Sequence, residues 1–411
     1  MRPYACLLTV AIAATIARAE DWPQALGPMR NNRTSEAVPA WTTPPRELWR
    51  ARFGESNSNA IVADGRVFLH CKIQDREAEE LIALDAATGT VLWRRGYPRE
   101  PYTSTTGNGP RATPATALGR VVTYGVTGML TCYTTATGEQ LWQVDTRSTF
   151  GVGALRYGVT SSPLIEGNRV LVHLGGSHGA IAAFDLENGS VVWKGLDDPV
   201  STSSPTVVEF ANGQRHIAFQ TALRIVGVDA LSGALIWEHP LSDTPLDSIA
   251  APFWTGSSLI TSSVAFGGKA VGIAAEAGRF RATELWRNEE LGSYFQSGVP
   301  MPEKRCYFIV TNRQQPGATL RCVDLETGAV RWSKPSVADW HAGLIATGTS
   351  GLLLSDGKGS LSLVAADPHA FVELARTDVP GLASSVNPVV ANGRVYLRGQ
   401  ETIVCLAIGR P

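Results

Sequence analysis

The chain has 411 residues, of which 44% are hydrophobic and 18% are charged, so it is long and apolar enough to bury a large core. Its formal net charge is −1, and it has neither the basic stripe that nucleic-acid partners require nor a polybasic segment for a membrane surface. We therefore expect no nucleic-acid partner.

The first 19 residues have the pattern of a signal peptide. Arg2 supplies the positive charge, Cys6 to Ala17 form an apolar run too short to span a bilayer, and Ala17-Arg18-Ala19 fits a cleavage site. We expect cleavage between Ala19 and Glu20, giving a periplasmic or secreted protein. Cys6 begins the apolar run rather than ending it, so there is no lipobox. No later stretch predicts a transmembrane segment.

Residues 20–45 are rich in proline and carry no strand signals, which predicts an extended N-terminal segment. Residues 46–411 carry a repeat. A short β-rich run ends in Asp, Gly follows, and a Trp comes three or four residues later, as in Asp185, Gly189 and Trp193. The Asp predicts a turn, the Gly supplies a positive φ, and the Trp predicts a filled wedge between neighbouring sheets. The tryptophans lie 44 to 51 residues apart, at Trp93, Trp142, Trp193, Trp237, Trp286 and Trp332.

Two more strand signals precede each of these units. One is a Ser/Thr-Pro start, as in Thr113-Pro114 and Ser162-Pro163, and the other is a turn followed by β-branched residues, as in Asn392-Gly393-Arg394-Val395. Each repeat is thus four short strands, and four-stranded sheets at this period predict propeller blades. The expected blades are 58–95, 111–145, 159–195, 201–239, 247–288, 295–334, 341–377 and 384–408.

The last repeat lacks a Trp strand, and Glu47-Leu48-Trp49-Arg50 is a Trp strand with no strands before it. Joining the two completes the eighth blade and removes free sheet edges. The prediction is an all-β, eight-bladed β-propeller of four-stranded antiparallel blades, closed by an N-terminal strand that joins the C-terminal blade.

The repeat resembles that of pyrroloquinoline-quinone (PQQ)-like propellers over essentially the whole mature chain. Asp21-Trp22-Pro23-Gln24, Asn108-Gly109-Pro110-Arg111 and Tyr157-Gly158-Val159 are similar to a group of secreted PQQ-like propellers of planctomycete-type bacteria. That group is often compared with the propeller lipoprotein of the outer-membrane protein assembly complex. Quinoprotein dehydrogenases are similar in fold, but they carry an adjacent Cys-Cys pair and acids for calcium. This chain has no Cys-Cys pair, and no motif places those acids.

Two functions follow from this pattern. The first is an exported, non-catalytic binding or scaffold propeller that presents its channel mouth or rim to an envelope protein or a small ligand. We expect this propeller to be a monomer. The alternative is a divergent PQQ-dependent oxidoreductase acting on alcohols or sugars, with PQQ near Arg111 and Trp340 and calcium nearby. The first implies no cofactor, and the scattered histidines show no metal-ligand spacing.

Loops that lead into the innermost strands meet at the mouth of the channel, where propeller ligands bind. The candidate ligand-binding residues there include arginines that suit an anion and aromatic rings that offer a stacking face. They are Arg111, Arg156, Tyr157, Tyr294, Gln296, Trp340, His341 and Asn387. The alternative is structural: Arg111 stabilises its own loop, and Trp340 packs into a blade.

The mature chain has an odd number of cysteines: Cys71, Cys132, Cys306, Cys322 and Cys405. An odd count in an exported protein leaves at least one thiol free. Cys306 and Cys322 fall on consecutive expected strands, so either a disulfide or two buried thiols is compatible with the sequence.

Overall fold

The computed structural model describes residues 20–175, 179–199, 201–241, 250–276, 278–312, 317–383 and 386–408. The expected signal peptide, residues 1–19, lies outside the described residues. Two strands, β1 (Arg33–Thr34) and β2 (Glu47–Arg52), precede the first complete blade.

The first half of the ring has four blades of four strands each. Blade 1 comprises β3 (Ile61–Ala63), β4 (Arg66–Lys72), β5 (Ala78–Asp85) and β6 (Val91–Pro98). Blade 2 comprises β7 (Ala115–Ala117), β8 (Arg120–Tyr124), β9 (Met129–Thr134) and β10 (Gln140–Asp145), followed by the short helix α1 (Thr146–Phe150). Blade 3 comprises β11 (Leu164–Glu166), β12 (Arg169–His173), β13 (Ile181–Asp185) and β14 (Val191–Gly195). Blade 4 comprises β15 (Thr206–Glu209), β16 (Arg215–Gln220), β17 (Arg224–Val228) and β18 (Leu235–Pro240).

The second half repeats the arrangement. Blade 5 comprises β19 (Phe253–Trp254), β20 (Ser258–Ser263), β21 (Gly267–Glu276) and β22 (Arg279–Asn288), then a 3-10 turn (Glu289–Leu291). Blade 6 comprises β23 (Val299–Met301), β24 (Cys306–Thr311), β25 (Ala318–Asp324) and β26 (Val330–Ala338), with a 3-10 turn at Pro302–Lys304. Blade 7 comprises β27 (Gly343–Thr347), β28 (Gly351–Ser355), β29 (Ser360–Ala365) and β30 (Glu373–Asp378). Blade 8 comprises β31 (Val389–Ala391), β32 (Arg394–Arg398) and β33 (Thr402–Ala407), and β2 is its outer strand.

The ring closes between the two ends of the chain. β2 pairs antiparallel with β33, and Trp49 lies opposite Cys405. The eight-bladed fold and this closure are therefore confirmed, and so is blade 7, whose outer strand carries Ala375 where the repeat has Trp.

The Asp–Gly turn forms as its sequence predicts. Asp85 Oδ1 accepts hydrogen bonds from the backbone N–H groups of Ala87 and Thr88, and Gly89 has a φ of +71°. The same acceptor role recurs at Asp185, Asp229 and Asp324. These acids make turns, which accounts for their regular recurrence.

Most of the repeat tryptophans reach into the next blade. Trp142 of blade 2 donates its indole N–H to Leu186 O of blade 3 at 2.9 Å. A Cβ on Gly189 would lie 2.6 Å from the same indole ring, so only glycine fits beneath it. Trp49, Trp93, Trp193 and Trp286 make the same pair of contacts with the turn of the following blade. We call this arrangement the tryptophan contact.

The tryptophan contact is replaced at the joints between blades 4 and 5 and between blades 7 and 8, and between blades 6 and 7 Trp332 keeps the indole hydrogen bond but covers no glycine. At joint 4–5, Trp237 instead donates to His216 Nδ1, and Phe280 of the long β21–β22 hairpin packs against His216. At joint 7–8, where Ala375 stands in for Trp, Trp41 of the N-terminal segment donates to Arg376 O and packs against the cluster that contains Ala375. The joints between blades 4 and 5 and between blades 7 and 8 are thus filled by aromatic residues that are not part of the repeat pattern.

Candidate functional site

A belt of hydrogen bonds joins the starts of the innermost strands. Asn59 N donates to Thr113 Oγ1 at 3.0 Å, Thr113 N to Ser162 Oγ at 2.9 Å, and Ser162 N to Ser204 Oγ at 2.9 Å. Each hydroxyl therefore accepts a bond from the preceding blade, which explains the Ser/Thr at these starts. We call the face that carries these loops the mouth face, and the face that carries the Asp–Gly turns the opposite face.

The N-terminal segment runs into the central channel from the opposite face. Asp21 accepts bonds from Asp64 N and Asn392 Nδ2 in turns of that face, and Trp22 exchanges backbone hydrogen bonds with Val62 of β3. Trp22 is fully buried. β1 then pairs in parallel with β27. The segment thereby replaces solvent along the channel with chain that is bonded to several blades.

Arg30 connects this segment to blades 3 and 4. Its Nε donates to Pro205 O at 2.9 Å, and its Nη1 donates to Pro163 O at 3.1 Å and to Gln24 Oε1 at 3.2 Å. The side chain is 1% exposed and has no carboxylate partner among the described residues. Burial lowers the pKa of Arg30 to about 9. The two prolyl carbonyls belong to strand starts, so Arg30 ties blades 3 and 4 to the segment.

Asn387, a predicted ligand-binding residue, belongs to the same closure. Its Nδ2 donates to Asn32 Oδ1 at 2.8 Å, and its Oδ1 accepts from Leu344 N at 3.1 Å. Asn32 Nδ2 donates in turn to Ser297 O, and Asn59 Nδ2 donates to Asn387 O. These amides bridge blades 1, 6, 7 and 8.

Arg111, another predicted ligand-binding residue, is half-buried within its own loop. Its Nη2 donates to Ser104 Oγ, Thr106 Oγ1 and Gly107 O at 3.2, 2.9 and 2.9 Å. Two further bonds hold the loop: Arg99 donates to Asn108 O, and Asn108 N donates to Glu55. The geometry around Arg111 is that of a loop brace on the mouth face.

Sequence reasoning missed the buried charge cluster that supports this loop. Tyr97 donates to Glu79 Oε2 at 2.6 Å, Arg99 Nη1 donates to Glu79 Oε1 at 2.8 Å, and His70 Nε2 lies 3.0 Å from the Tyr97 hydroxyl. Burial raises the pKa of Glu79, but the bonds from His70 and Tyr97 and the charge of Arg99 outweigh it and give a pKa of about 2. All four groups come from strands or strand ends of one blade, and no local motif marks them.

Arg156 and Tyr157 lie together on the mouth face, in the connection from blade 2 to blade 3. The Arg156 guanidinium lies 5.2 Å from the centre of the Tyr157 ring. Both line a cleft of about 10 Å³ that also reaches His173. That volume holds about one water molecule, so this cleft does not take an organic ligand in the conformation described.

The remaining predicted residues lie on the loops before blades 6 and 7. Gln296 is buried, with its backbone N–H bonded to Ser293 Oγ. Tyr294 and His341 both contact the ring of Phe295 edge to face, at 4.2 and 4.1 Å between ring centres. Phe295 is 39% exposed and Trp340 is 47% exposed. We call Tyr294, Phe295, Trp340 and His341 the mouth patch; Phe295 was not predicted, because nothing in its sequence separates it from a core residue.

The comparisons with known proteins agree with this architecture. The model of the family "Outer membrane protein assembly factor BamB" matches residues 34–107 and 77–334. The chain belongs to this family. It is 28% identical over 146 residues to BamB of Shewanella oneidensis and 25% identical over 186 residues to BamB of Moranella endobia. These matches cover 34% and 45% of this chain, and only 36% and 44% of the two relatives.

Solved structures similar to this BamB-family chain include another BamB and a dehydrogenase. BamB from Moraxella catarrhalis superposes with a TM-score of 0.61 at 16% identity, over 88% of this chain and all of that one (100%). The quinohemoprotein alcohol dehydrogenase from Comamonas testosteroni gives a TM-score of 0.68 at 15% identity, over 97% of this chain and 82% of the enzyme. At these identities the likeness shows the fold alone.

The dehydrogenase likeness raises the question of whether the mouth suits PQQ with calcium. Calcium takes about six to eight oxygen ligands, with carboxylates prominent among them. Among the described residues no group of three or more His, Cys, Asp or Glu is placed to hold a metal. Two buried acids are already paired, Glu79 with Arg99 and Asp198 with Arg224. These two acids are thus engaged by arginines rather than gathered around a metal site.

Two further expectations concern the cysteines and the membrane. Cys306 and Cys322 are free, buried thiols in the structure. They lie on the paired strands β24 and β25, where Cys322 is opposite Phe308. Among the described residues no helix is long and apolar enough to cross a membrane.

Proposed function

We propose that the chain is an exported scaffold that binds another protein of the cell envelope through its mouth face and has no redox chemistry of its own. The carrying observation is the pair of features at the mouth: the channel is filled by the chain's own N-terminal segment, and an exposed aromatic cluster lies beside it. Aromatic residues are enriched at the centres of protein interfaces, where their large area contributes most of the binding energy.

The location and processing belong to the same proposal. Removal of residues 1–19 leaves the segment 20–45 and the propeller 46–411, and Glu20 then begins the mature chain. Glu20 accepts bonds from Thr34 Oγ1 and Ser35 N, so the new terminus lies against the segment. The relatives are named as outer-membrane protein assembly factors, which supports an envelope partner. We propose that the protein is a monomer that meets this partner through one face.

Site-specific photo-cross-linking in the envelope of the native host tests the binding face. A photoreactive residue is placed at Phe295 or Trp340, and the matched controls are Leu118 and Leu231, which are 69% and 70% exposed on the opposite face. The proposal expects one discrete cross-linked protein from the mouth positions and none from the controls. Equal cross-linking from both faces, or none from the mouth, would contradict it.

A second measurement separates the scaffold from the quinoprotein alternative. Purified protein is mixed with PQQ and calcium, passed through gel filtration, and assayed for cofactor absorbance and for dye reduction with alcohols and sugars. The proposal expects no retained cofactor and no dye reduction. Stoichiometric retention of PQQ with substrate-dependent dye reduction would replace it with the oxidoreductase reading.

A further inference from the structure

A ligand-sized cleft separates blades 6 and 7 away from the channel. Its volume is about 770 Å³, within the range of small-molecule sites. One wall is the end of β26, residues 334–339, and the other is formed by Asp356, Ser360, Ser362, Glu373 and Arg376 of blade 7. We call it the blade 6–7 cleft. It shares no lining residue with the mouth patch and plays no part in the function proposed above.

The first wall exists because β26 is bulged. Lys334 pairs with Leu320, and Ala338 pairs with Ala318, so residues 335–337 lie opposite the single residue 319. Ser336 has a φ of +57°, a left-handed conformation that is unusual for a residue with a side chain. Bulges of this kind occur preferentially beside functional sites, where they redirect a strand. Here the bulged residues 335–337 line the cleft.

The base of the cleft is a second departure from the repeat. A longer connection, residues 366–372, joins β29 to β30 in place of the short Asp–Gly turn. Trp332 still donates to Asp367 O at 2.9 Å, but its ring meets Phe371 edge to face at 6.1 Å instead of covering a glycine. Phe371 lines the cleft and is half-buried, so one aromatic ring is available inside it.

The charges in the cleft balance. Lys334, Lys358 and Arg376 stand against Asp339, Asp356 and Glu373. Lys358 and Asp339 form an ion pair at 2.5 Å, and Arg376 Nη2 lies 3.6 Å from Asp356 Oδ2. A ligand of either net charge would meet as many like charges as opposite ones. This composition favours a ligand without net charge.

The polar groups of the second wall alternate between donors and acceptors. Ser362 Oγ donates to Glu373 Oε2 at 2.9 Å, and Arg376 Nη2 donates to Ser360 Oγ at 3.0 Å. Carboxylates accept only and guanidinium donates only, whereas a hydroxyl does both. A dense row of ligand hydroxyls can therefore use every group on this wall. Lys334 Nζ, which has no ion pair among the described residues, lies 5.3 Å from the Phe371 ring and can swing aside from it.

We propose that the blade 6–7 cleft binds a neutral oligosaccharide. The sugar hydroxyls bond to Glu373, Arg376 and the two serines, and one apolar sugar face packs on Phe371. The cleft volume suits a short chain of sugar rings rather than a single one.

Isothermal titration of the full mature protein with chitotriose, maltotriose and cellotriose tests this site, with triglycine as a probe for a peptide ligand. The cleft variant is Glu373→Gln with Arg376→Gln. The chain itself supplies a matched control, Glu47→Gln with Arg50→Gln, because Glu47 and Arg50 hold the same positions on the outer strand of blade 8. Arg50 also donates to Pro380 O, so the control disturbs packing at least as much as the cleft variant does.

The proposal expects at least one of the three saccharides to bind, with affinity reduced at least about tenfold in the cleft variant and unchanged in the control. Binding that is unaffected by the cleft variant overturns the site. Binding of triglycine without any saccharide overturns the ligand class, and the absence of all binding overturns both. None of these outcomes bears on the cross-linking at the mouth, so the two proposals fail separately.

Discussion

Replacing Gly138 by Ala tests the tryptophan contact most sharply, because the same blade provides a control. Gly138 and Gly119 have nearly identical φ values, +68° and +71°. A Cβ on Gly138 would lie 2.6 Å from the Trp93 ring, whereas a Cβ on Gly119 would meet nothing within 4 Å. The two substitutions therefore differ only in the contact with Trp93.

The expected losses follow from these two terms. Forcing alanine into the left-handed region costs about 1–2 kcal/mol at either position. Overpacking against a fixed indole ring adds about 1–3 kcal/mol, and only at Gly138. The free energy of unfolding should thus fall by about 1–2 kcal/mol in Gly119→Ala and by about 2–5 kcal/mol in Gly138→Ala.

Urea unfolding at equilibrium, followed by circular dichroism, measures both values. Trp93→Leu supplies the second half of a double-mutant cycle: in that background the cost of Gly138→Ala should fall to that of Gly119→Ala. Equal costs for the two glycines, or no coupling to Trp93, would refute the reasoning. The blades would then be held together by something other than this contact.

Three further predictions concern buried groups. Trp22→Ala should lower the free energy of unfolding by about 3–5 kcal/mol, because the Trp22 side chain is fully buried. A loss below about 1 kcal/mol would mean that the N-terminal segment is only loosely held. Burial lowers the pKa of His173 to about 4, so as the pH falls the unfolded chain takes up a proton on this histidine before the folded protein does. The free energy of unfolding should therefore drop by about 3 kcal/mol between pH 6.5 and pH 4. His173→Phe should flatten that part of the stability–pH curve, and an unchanged slope would contradict this. The five described cysteines are buried, and burial raises the pKa of Cys132 and Cys405 to about 12. A thiol reagent should therefore label none of the five before the protein unfolds. Rapid labelling of the native protein would contradict this prediction.

The fold was predictable because its signals are local and repeat. Asp229 and Gly233 form their turn through hydrogen bonds that span only a few residues, so the sequence of each repeat is sufficient to predict its turn. The closure of the ring was predictable by counting strands, because the strand that contains Trp49 had no blade and the last repeat had only three strands. The outer strand of blade 7 lies at the expected spacing along the chain, although it carries Ala375 where the other repeats have Trp.

The site was less predictable because its contacts are distant in sequence. Arg30 bonds to carbonyls 133 and 175 residues away, and Asn32 bonds to an amide 355 residues away. No pattern around Arg30 specifies such partners. The blade 6–7 cleft depends on a bulge that a strand pattern containing Pro335 hints at but does not place.

Hydrogen exchange of residues 20–34, followed by mass spectrometry, tests most directly whether the N-terminal segment fills the channel. Its amides include Trp22 N, bonded to Val62 O, and Asn32 N, bonded to Leu26 O. The account predicts that peptides from this segment exchange as slowly as those from β3 and β27, with protection lost only on global unfolding. Exchange at the rate of an unfolded chain would leave the channel open, and the mouth would have to be reconsidered as a ligand site.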